Sequence, residues 1–482
     1  MNDSAETFPL MIAGAATSGP AIELRAPYDG RLLATLESAD ARAVEQALET
    51  AHALWRDRDG WLTPANRIEI LERTQDIMRE RAETLALEAA EEGGKPLADS
   101  RVEVARAIDG IRICIDELRT VAGRVIPMGI NAASLNRVAF TQREPIGVVV
   151  AISAFNHPLN LIVHQVAPAV ATGCPVIVKP AEKTPRSCMR FVSILREAGL
   201  PAAWCQALVT PDLAVAERLV SDSRVGFLSF IGSARVGWML RSKLAPGARC
   251  ALEHGGAAPV IVSADADLDA AVPALAKAGF YHAGQVCVSV QRVFAERAIA
   301  AELAERIAAA GRAMRIGDPT DPKTEIGPLI RASEIDRVDA WLKEAIAAGA
   351  RHISGAKRVG ASCYEATVLL DAPGDARVSR EEIFGPAIMV YGYDELDQAI
   401  ERANALPYAF QAAVYTRDLD TALRVSRRID ASAVMVNDHT AFRVDWMPFA
   451  GLRHSGHGVG GIPYTMHDMS IEKMTVIRSS AL

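Results

Sequence analysis

Residues 143–155 read REPIGVVVAISAF, and residues 174–180 read CPVIVKP. Each is a short apolar, β-branched run bounded by Gly or Pro, the pattern of a strand buried on both faces. Between them, from about Leu159, the spacing is helical. Strand, crossover helix, strand is the opening of a dinucleotide-binding unit, where a ligand lies at the carboxyl ends of the strands. Upstream, residues 39–58 and 64–92 read as amphipathic helices, and a further helical run spans Ser100–Val121. Downstream, Cys205–Val209 and Val225–Phe230 read as strands. A second α/β region begins near Pro259 and extends to about Val436. The closing stretch MSIEKMTVIRSS ends in an exposed-looking strand, which suggests pairing with another chain. Alternating helices and strands without repeats or low-complexity linkers predict an α/β protein of parallel sheets whose domains interleave.

Bulk properties narrow the function. The chain has 482 residues, 50% hydrophobic and 23% charged, so it buries more than one core. A net charge of -7 gives no reason to expect nucleic acid or an anionic membrane as partner. The N-terminus MNDSAETFPLMIAG lacks the basic-then-apolar order of a secretory signal, and no apolar run is long enough to span a bilayer. Seven cysteines (114, 174, 188, 205, 250, 287, 363) are scattered without a CxxC pair, which argues against a disulfide framework or a metal site and fits a reducing, cytoplasmic setting.

Three clusters carry chemistry. In Gly284-Gln285-Val286-Cys287, a cysteine follows a Gly-containing turn on the way into a strand, where a thiol can face a cleft and act as a nucleophile; a cysteine alone is more often structural. In Glu253-His254-Gly255-Gly256, a carboxylate precedes two glycines, so the side chain can swing and activate water; alone it is an ordinary strand-end acid. In Phe155-Asn156-His157-Pro158, an Asn directly after a buried strand can donate to an oxyanion; alone it is a helix cap.

Together with Lys179-Pro180-Ala181-Glu182, Phe230-Ile231-Gly232-Ser233 and Glu382-Ile383-Phe384-Gly385-Pro386, these clusters appear in the order found in the aldehyde dehydrogenase superfamily, which the chain resembles from about residue 20 to 478. The nearest branch looks like lactaldehyde- and phosphonoacetaldehyde-type dehydrogenases. The resemblance implies a Rossmann-like cofactor domain (residues 1–127 and 146–258), an α/β catalytic domain (259–436) and small oligomerisation strands (128–145 and 466–482) that form a homodimer or homotetramer. It also implies that Cys287 is the nucleophile, that Asn156 and the Cys287 N–H hold the oxyanion, and that Glu253 activates the deacylating water. Phe155, Lys179, Glu182, Gly232, Ser233, Glu382 and Phe384 would hold the cofactor. A carboxylate at Glu182 accepts from ribose hydroxyls and repels a 2′-phosphate, which favours NAD, with NADP also accommodated. Two departures stand out: TPDLAVAERLV after Val209 lacks a Gly-x-Gly, and Ser455-Gly456-His457-Gly458-Val459-Gly460-Gly461 replaces Ser-Gly-x-Gly-Arg-Glu, losing an ion-pair site.

Counting from the motifs places Arg106, His157, Arg443 and Phe449 in the substrate channel. Two converging arginines would hold a small anionic tail, so the expected substrate is a short semialdehyde, phosphono- or sulfo-aldehyde, or a lactaldehyde-like hydroxyaldehyde. The bland readings are a surface Arg106, an Arg443 paired with Asp445, and a His157 bonded to backbone. With those, the enzyme would take neutral aliphatic or aromatic aldehydes. A coenzyme A-acylating enzyme, a thiol esterase and an inactive structural relative are disfavoured by Glu253 and by the complete set of motifs.

Overall fold

A computed structural model describes residues 6–15 and 18–482; residues 1–5 and 16–17 of the expected cofactor region, and with them part of the N-terminal stretch read for a signal, lie outside it. A small sheet of Glu6–Phe8, Ala21–Arg25 and Leu32–Glu37 comes first, and four helices follow it. Helix α1 (Ala41–Arg56) begins at Asp40, whose carboxylate accepts from the Arg42 and Ala43 amides. The run expected as one helix over 64–92 is two, α2 (Pro64–Glu80) and α3 (Ala82–Gly93), because Arg81 leaves helical geometry at φ -105°. Gly94 then turns with φ +73°, and a Cβ there would stand 2.7 Å from Pro328. Helix α4 (Leu97–Thr120) follows, and Lys95 lies on the short link before it.

The strand expected over 143–155 is divided. Its first residues finish a longer strand, Arg137–Pro145, and β1 (Val148–Ile152) starts after Ile146-Gly147. Helix α5 (Asn160–Thr172) crosses to β2 (Val176–Lys179), and β3 (Cys205–Ala207), β4 (Val225–Ile231) and β5 (Arg249–Glu253) complete the parallel set. The sheet order is β5-β4-β1-β2-β3, with the short strand Gly456–His457 antiparallel on β5. The chain leaves β1 in one direction and returns on its other side as β4. The crevice outside the carboxyl ends of β1 and β4 is therefore the topological switch point. Helix α6 (Ala234–Arg241) starts directly beyond β4.

A second sheet is built from β6 (Ala258–Val262), β7 (Val290–Glu296), β8 (Arg351–Ser354), β9 (Thr367–Leu370), β10 (Ala387–Tyr393), β11 (Gln411–Tyr415) and β12 (Ala433–Val436). Its order is β8-β9-β10-β7-β6-β11-β12, parallel except for β8. Each sheet has its own core. Val149, Ile162, Val178 and Phe227 belong to one, and Val260, Val293, Met389 and Val414 to the other.

The C-terminal segment differs from expectation in two ways. Residues 466–468 end a helix, Ile462–Asp468, whose Ile462 and Met466 pack into the first core rather than extending as strand. The strand Ser470–Arg478 pairs antiparallel with Arg137–Pro145 of the same chain, from Ser470 opposite Pro145 to Arg478 opposite Arg137. The partner of that face is thus intramolecular, and the outer edge of Ser470–Arg478 has no strand partner among the described residues.

Candidate active site

A cleft of about 720 Å³ opens at the switch point and runs between the two sheets. The sequence motifs meet there. Asn156, Glu253 and Cys287 line it, with Phe155, Gly232, Ser233, Glu382 and Phe384, and the four channel residues Arg106, His157, Arg443 and Phe449. Lys179 and Glu182 do not. Lys179 ends β2 almost buried and Glu182 sits on an exposed turn, with Ala181 between them reaching the cleft.

The turn that carries Cys287 is built by its neighbours. His282, Ala283 and Gly284 take positive φ in succession (49°, 53° and 69°). At Gly284 a Cβ would lie 2.1 Å from the Gly385 carbonyl, so the backbone-only residue is required. Gln285 then locks the loop: its amide donates to the His282 and Pro328 carbonyls (both 3.2 Å), and its oxygen accepts from the Ile330 amide at 2.9 Å. This accounts for Gly-Gln ahead of the cysteine. Burial pushes the Cys287 thiol up to about 12; the Arg443 guanidinium pulls it back, while Glu253 and Glu382 add to the rise.

Glu253 ends β5 and faces the same space, its carboxyl raised by burial and lowered by Arg443. The two glycines after it serve Glu382. A Cβ on Gly255 would stand 1.8 Å from the Glu382 carboxylate, and the Gly256 amide donates to that carboxylate at 3.0 Å. Burial brings Glu382 up to about 7. On the far side of Glu253, a Cβ at Gly460 would fall 2.0 Å from its Oε1. The departure at 455–461 therefore makes room for the Glu253 side chain. Asn156 is not a helix cap; α5 begins at Asn160 after Leu159, and the Asn156 amide has no protein partner among the described residues.

Arg443 lies in a network that the sequence only half revealed. Its guanidinium carbon stands 3.6 Å from the centre of the Phe449 ring, and Nη2 donates to His164 Nδ1 at 3.3 Å. Because a guanidinium can only donate, His164 carries its proton on Nε2, which donates to Asp445 at 2.8 Å. Arg106 closes the chain with a two-pronged contact to Asp445, 3.1 Å from Nε and 2.5 Å from Nη2. Burial alone would raise the Asp445 carboxyl, but His164 and Arg106 hold it well below the usual carboxylate range. So Asp445 takes Arg106 in hydrogen bonds, and the buried Arg443 Nε, 3.9 Å from Asp445, makes no hydrogen bond among the described residues. His164 was missed by the sequence reading. The signal available was its spacing of four from Asn160 along α5, which puts both on one helix face.

The cleft fits a dinucleotide. Ser233 precedes α6 without closing its first turn by a side-chain bond, among the described residues, so that helix end can take a phosphate. Ser153, at the carboxyl end of β1, has a buried hydroxyl without a partner. Phe155 meets Phe384 edge-on at 5.9 Å, and the Glu382 carboxylate is held nearby by the Gly256 amide.

The family model for the aldehyde dehydrogenase family matches residues 15–475. The chain belongs to that family. The 3-sulfolactaldehyde dehydrogenase of Priestia megaterium is 36% identical over 461 residues, 96% of each chain. Among solved structures, aldehyde dehydrogenase 21 of Physcomitrella patens, in complex with the reaction product succinate, superposes with a TM-score of 0.94 at 32% identity and covers 99% of each chain. The glyceraldehyde-3-phosphate dehydrogenase GapN of Methanocaldococcus jannaschii, complexed with NADP, gives 0.91 at 32% identity over 96% of this chain and 100% of that one. The protein is accordingly an aldehyde dehydrogenase that uses a nicotinamide dinucleotide, NAD or NADP. No helix of the described residues is long and apolar enough to cross a membrane.

Proposed function

We propose that this chain oxidises a short aldehyde with an anionic tail to the carboxylic acid, using NAD and a covalent intermediate on Cys287. The observation that carries the substrate class is Arg443: a buried guanidinium lining the cleft, whose Nε makes no hydrogen bond among the described residues and stands 3.9 Å from an Asp445 already bound by Arg106. A buried donor without a partner is costly unless a ligand accepts from it. Arg106 is turned toward Asp445, so the tail is held mainly by Arg443 and the positive potential of the pair. The names of the relatives agree with this class, since sulfolactaldehyde carries a sulfonate and succinate a second carboxylate.

Chemically, Arg443 favours the Cys287 thiolate, the thiol proton leaves to solvent, and the thiolate attacks the aldehyde carbon. The amide of Asn156 and the Cys287 backbone N–H receive the oxyanion of the thiohemiacetal. The bound dinucleotide supplies the two-electron acceptor that converts this adduct to a thioester. Glu253, as the carboxylate, withdraws a proton from water as the water attacks the thioester, and it returns that proton to the departing thiolate as the acid leaves. Glu382, Phe155 and Phe384 would hold the nicotinamide portion, and Lys179 and Glu182, beside the cleft at the end of β2, would meet an adenine ribose that extends past Ala181, where Glu182 would disfavour a 2′-phosphate. The apolar wall of Val286, Val288, Phe410 and Phe449 beside the thiol supports the second reading, a neutral aldehyde. The open edge of Ser470–Arg478, with Met474, Val476 and Ile477 exposed, supports assembly as a homodimer or homotetramer.

The deciding experiment follows absorbance at 340 nm across carboxy-, sulfo- and phosphono-aldehydes and neutral aldehydes, with NAD and NADP in parallel. Preference for the anionic set, lost in Arg443→Gln, supports the proposal. Equal turnover of propanal or benzaldehyde refutes the anionic tail and leaves the dehydrogenase. Cys287→Ala is expected to bind NAD and form no NADH, and Glu253→Gln to accumulate the acyl-enzyme.

A further inference from the structure

His157, next to Asn156 in the cleft, is held from behind by buried charges. Lys95 is fully buried and its ammonium contacts both Glu103 and His157 Nδ1. Glu103, also buried, has its other oxygen on the Leu159 and Asn160 amides at 2.8 and 3.0 Å. It thereby supplies from α4 the cap that α5 lacks, since Leu159 makes no side-chain cap bond. Burial lowers the Lys95 pKa from its ordinary value, and the Glu103 carboxylate in contact with it opposes that fall and keeps it an ammonium. An ammonium has three N–H bonds and no lone pair, so it must donate to His157 Nδ1. The neutral imidazole then carries its proton on Nε2, the nitrogen without a protein partner among the described residues. Burial, then the charges of Lys95, Arg106 and Arg443, keep His157 from protonating: its pKa lies well below the usual histidine value. The ring therefore presents one N–H donor whose direction is fixed by a second residue.

We propose that His157 Nε2–H is a specificity-determining donor that reads a hydroxyl on the carbon next to the aldehyde, and that Lys95 is the positioning residue that fixes its tautomer. The location supports this. Asn156, one residue away, would hold the carbonyl oxygen, and Arg443 lines the same cleft close enough for its charge to act on His157. A donor that neighbours both suits a group between the carbonyl and an anionic tail. The substrate class is then a 2-hydroxyaldehyde with an anionic group on the next carbon or two. This rests on the aldehyde dehydrogenase reading of the same site and sharpens it.

The test compares kcat/KM for 2-hydroxy-3-sulfopropanal and its deoxy partner 3-sulfopropanal, in wild type, His157→Phe and His157→Gln. Wild type is expected to favour the hydroxy compound. The ratio should fall roughly 10- to 100-fold in His157→Phe, and recover in part in His157→Gln, which keeps an N–H donor. A wild-type ratio near one, or a ratio unchanged in His157→Phe, overturns the proposal while leaving the dehydrogenase intact. Oxidation of neither aldehyde by wild type overturns the anionic-aldehyde reading and this one with it. An independent readout needs no turnover: in histidine-labelled protein, the 15N signals of His157, assigned by their absence in His157→Phe, should show protonated Nε2 and bare Nδ1. Lys95→Met should release that preference. A protonated Nδ1 in wild type refutes the positioning role even if Lys95→Met does not fold.

Discussion

Adding one methyl group at Gly460 should separate the two halves of the reaction. The ideal Cβ at that position lies 2.0 Å from Glu253 Oε1 and 2.9 Å from the Phe449 carbonyl. Real contacts of this kind begin above 3.0 Å, so the Glu253 carboxylate must move by about 1 Å. Because the crowded atom is the free end of a side chain, the fold should tolerate Gly460→Ala with a modest loss of stability. Catalysis should not: a displacement of about 1 Å at a reacting group costs on the order of 100-fold, or about 2.7 kcal/mol. The loss belongs to the step in which Glu253 works alone on water. In rapid mixing with saturating NAD and aldehyde, the first turnover should still yield close to one NADH per site. The steady state should then fall about 100-fold, with an acyl adduct on Cys287 visible by intact mass. Wild-type steady-state turnover would show that Gly460 does not set the position of Glu253. A slow first turnover without an acyl adduct would show that Glu253 serves hydride transfer rather than deacylation.

Two further perturbations address the charges. Glu253 is raised by burial and lowered by Arg443, so Arg443→Gln should move the acidic limb of the deacylation rate to higher pH; the rate falls as the base protonates, and a limb that does not move removes Arg443 from its field. Asp445→Asn should leave Arg106 and the Arg443–His164 pair without their common anion and cost about 3–5 kcal/mol in urea unfolding at neutral pH. Since the folded Asp445 titrates below its unfolded value, its stabilisation is present above about pH 4 and lost as pH falls further; a variant as stable as wild type at pH 7 refutes this.

The sequence was most legible where chemistry is written locally. Gly284 and the Gly255-Gly256 pair were readable as turn residues, although what crowds Gly284 and Gly255, Gly385 and Glu382 respectively, lies far along the chain. The parallel sheets followed from short β-branched runs joined by helical spacing. The break at Arg81 was not visible, because no Gly or Pro marks it and both sides have good helix formers. The Arg106–Asp445 contact spans 339 residues, and nothing local signals it. Arg106 was placed correctly in the cleft, but only the fold shows that its guanidinium is turned to an internal carboxylate. Lys95 and Glu103, eight residues apart, carry no local signal of their pairing; their burial is a tertiary fact.

The departures from the family pattern belong together. The cleft gathers two carboxylates, Glu253 and Glu382, around a thiol that must ionise, and burial raises all three. A third acid in the Ser455–Gly461 segment would deepen that negative field and hold an anionic aldehyde away from Cys287. Gly460 removes that side chain and gives its space to Glu253. Arg443 supplies the positive charge from the opposite wall, where it acts on the thiol and on Glu253 alike. The same guanidinium that would hold an anionic tail thus also opposes the burial of the reacting groups. Binding and ionisation are coupled through it: a tail that accepts from Arg443 Nε draws part of the positive field away from the thiolate. A reach of several bonds from tail to carbonyl weakens that competition, which gives a physical reason for the charge to sit on a carbon beyond the one bearing the aldehyde.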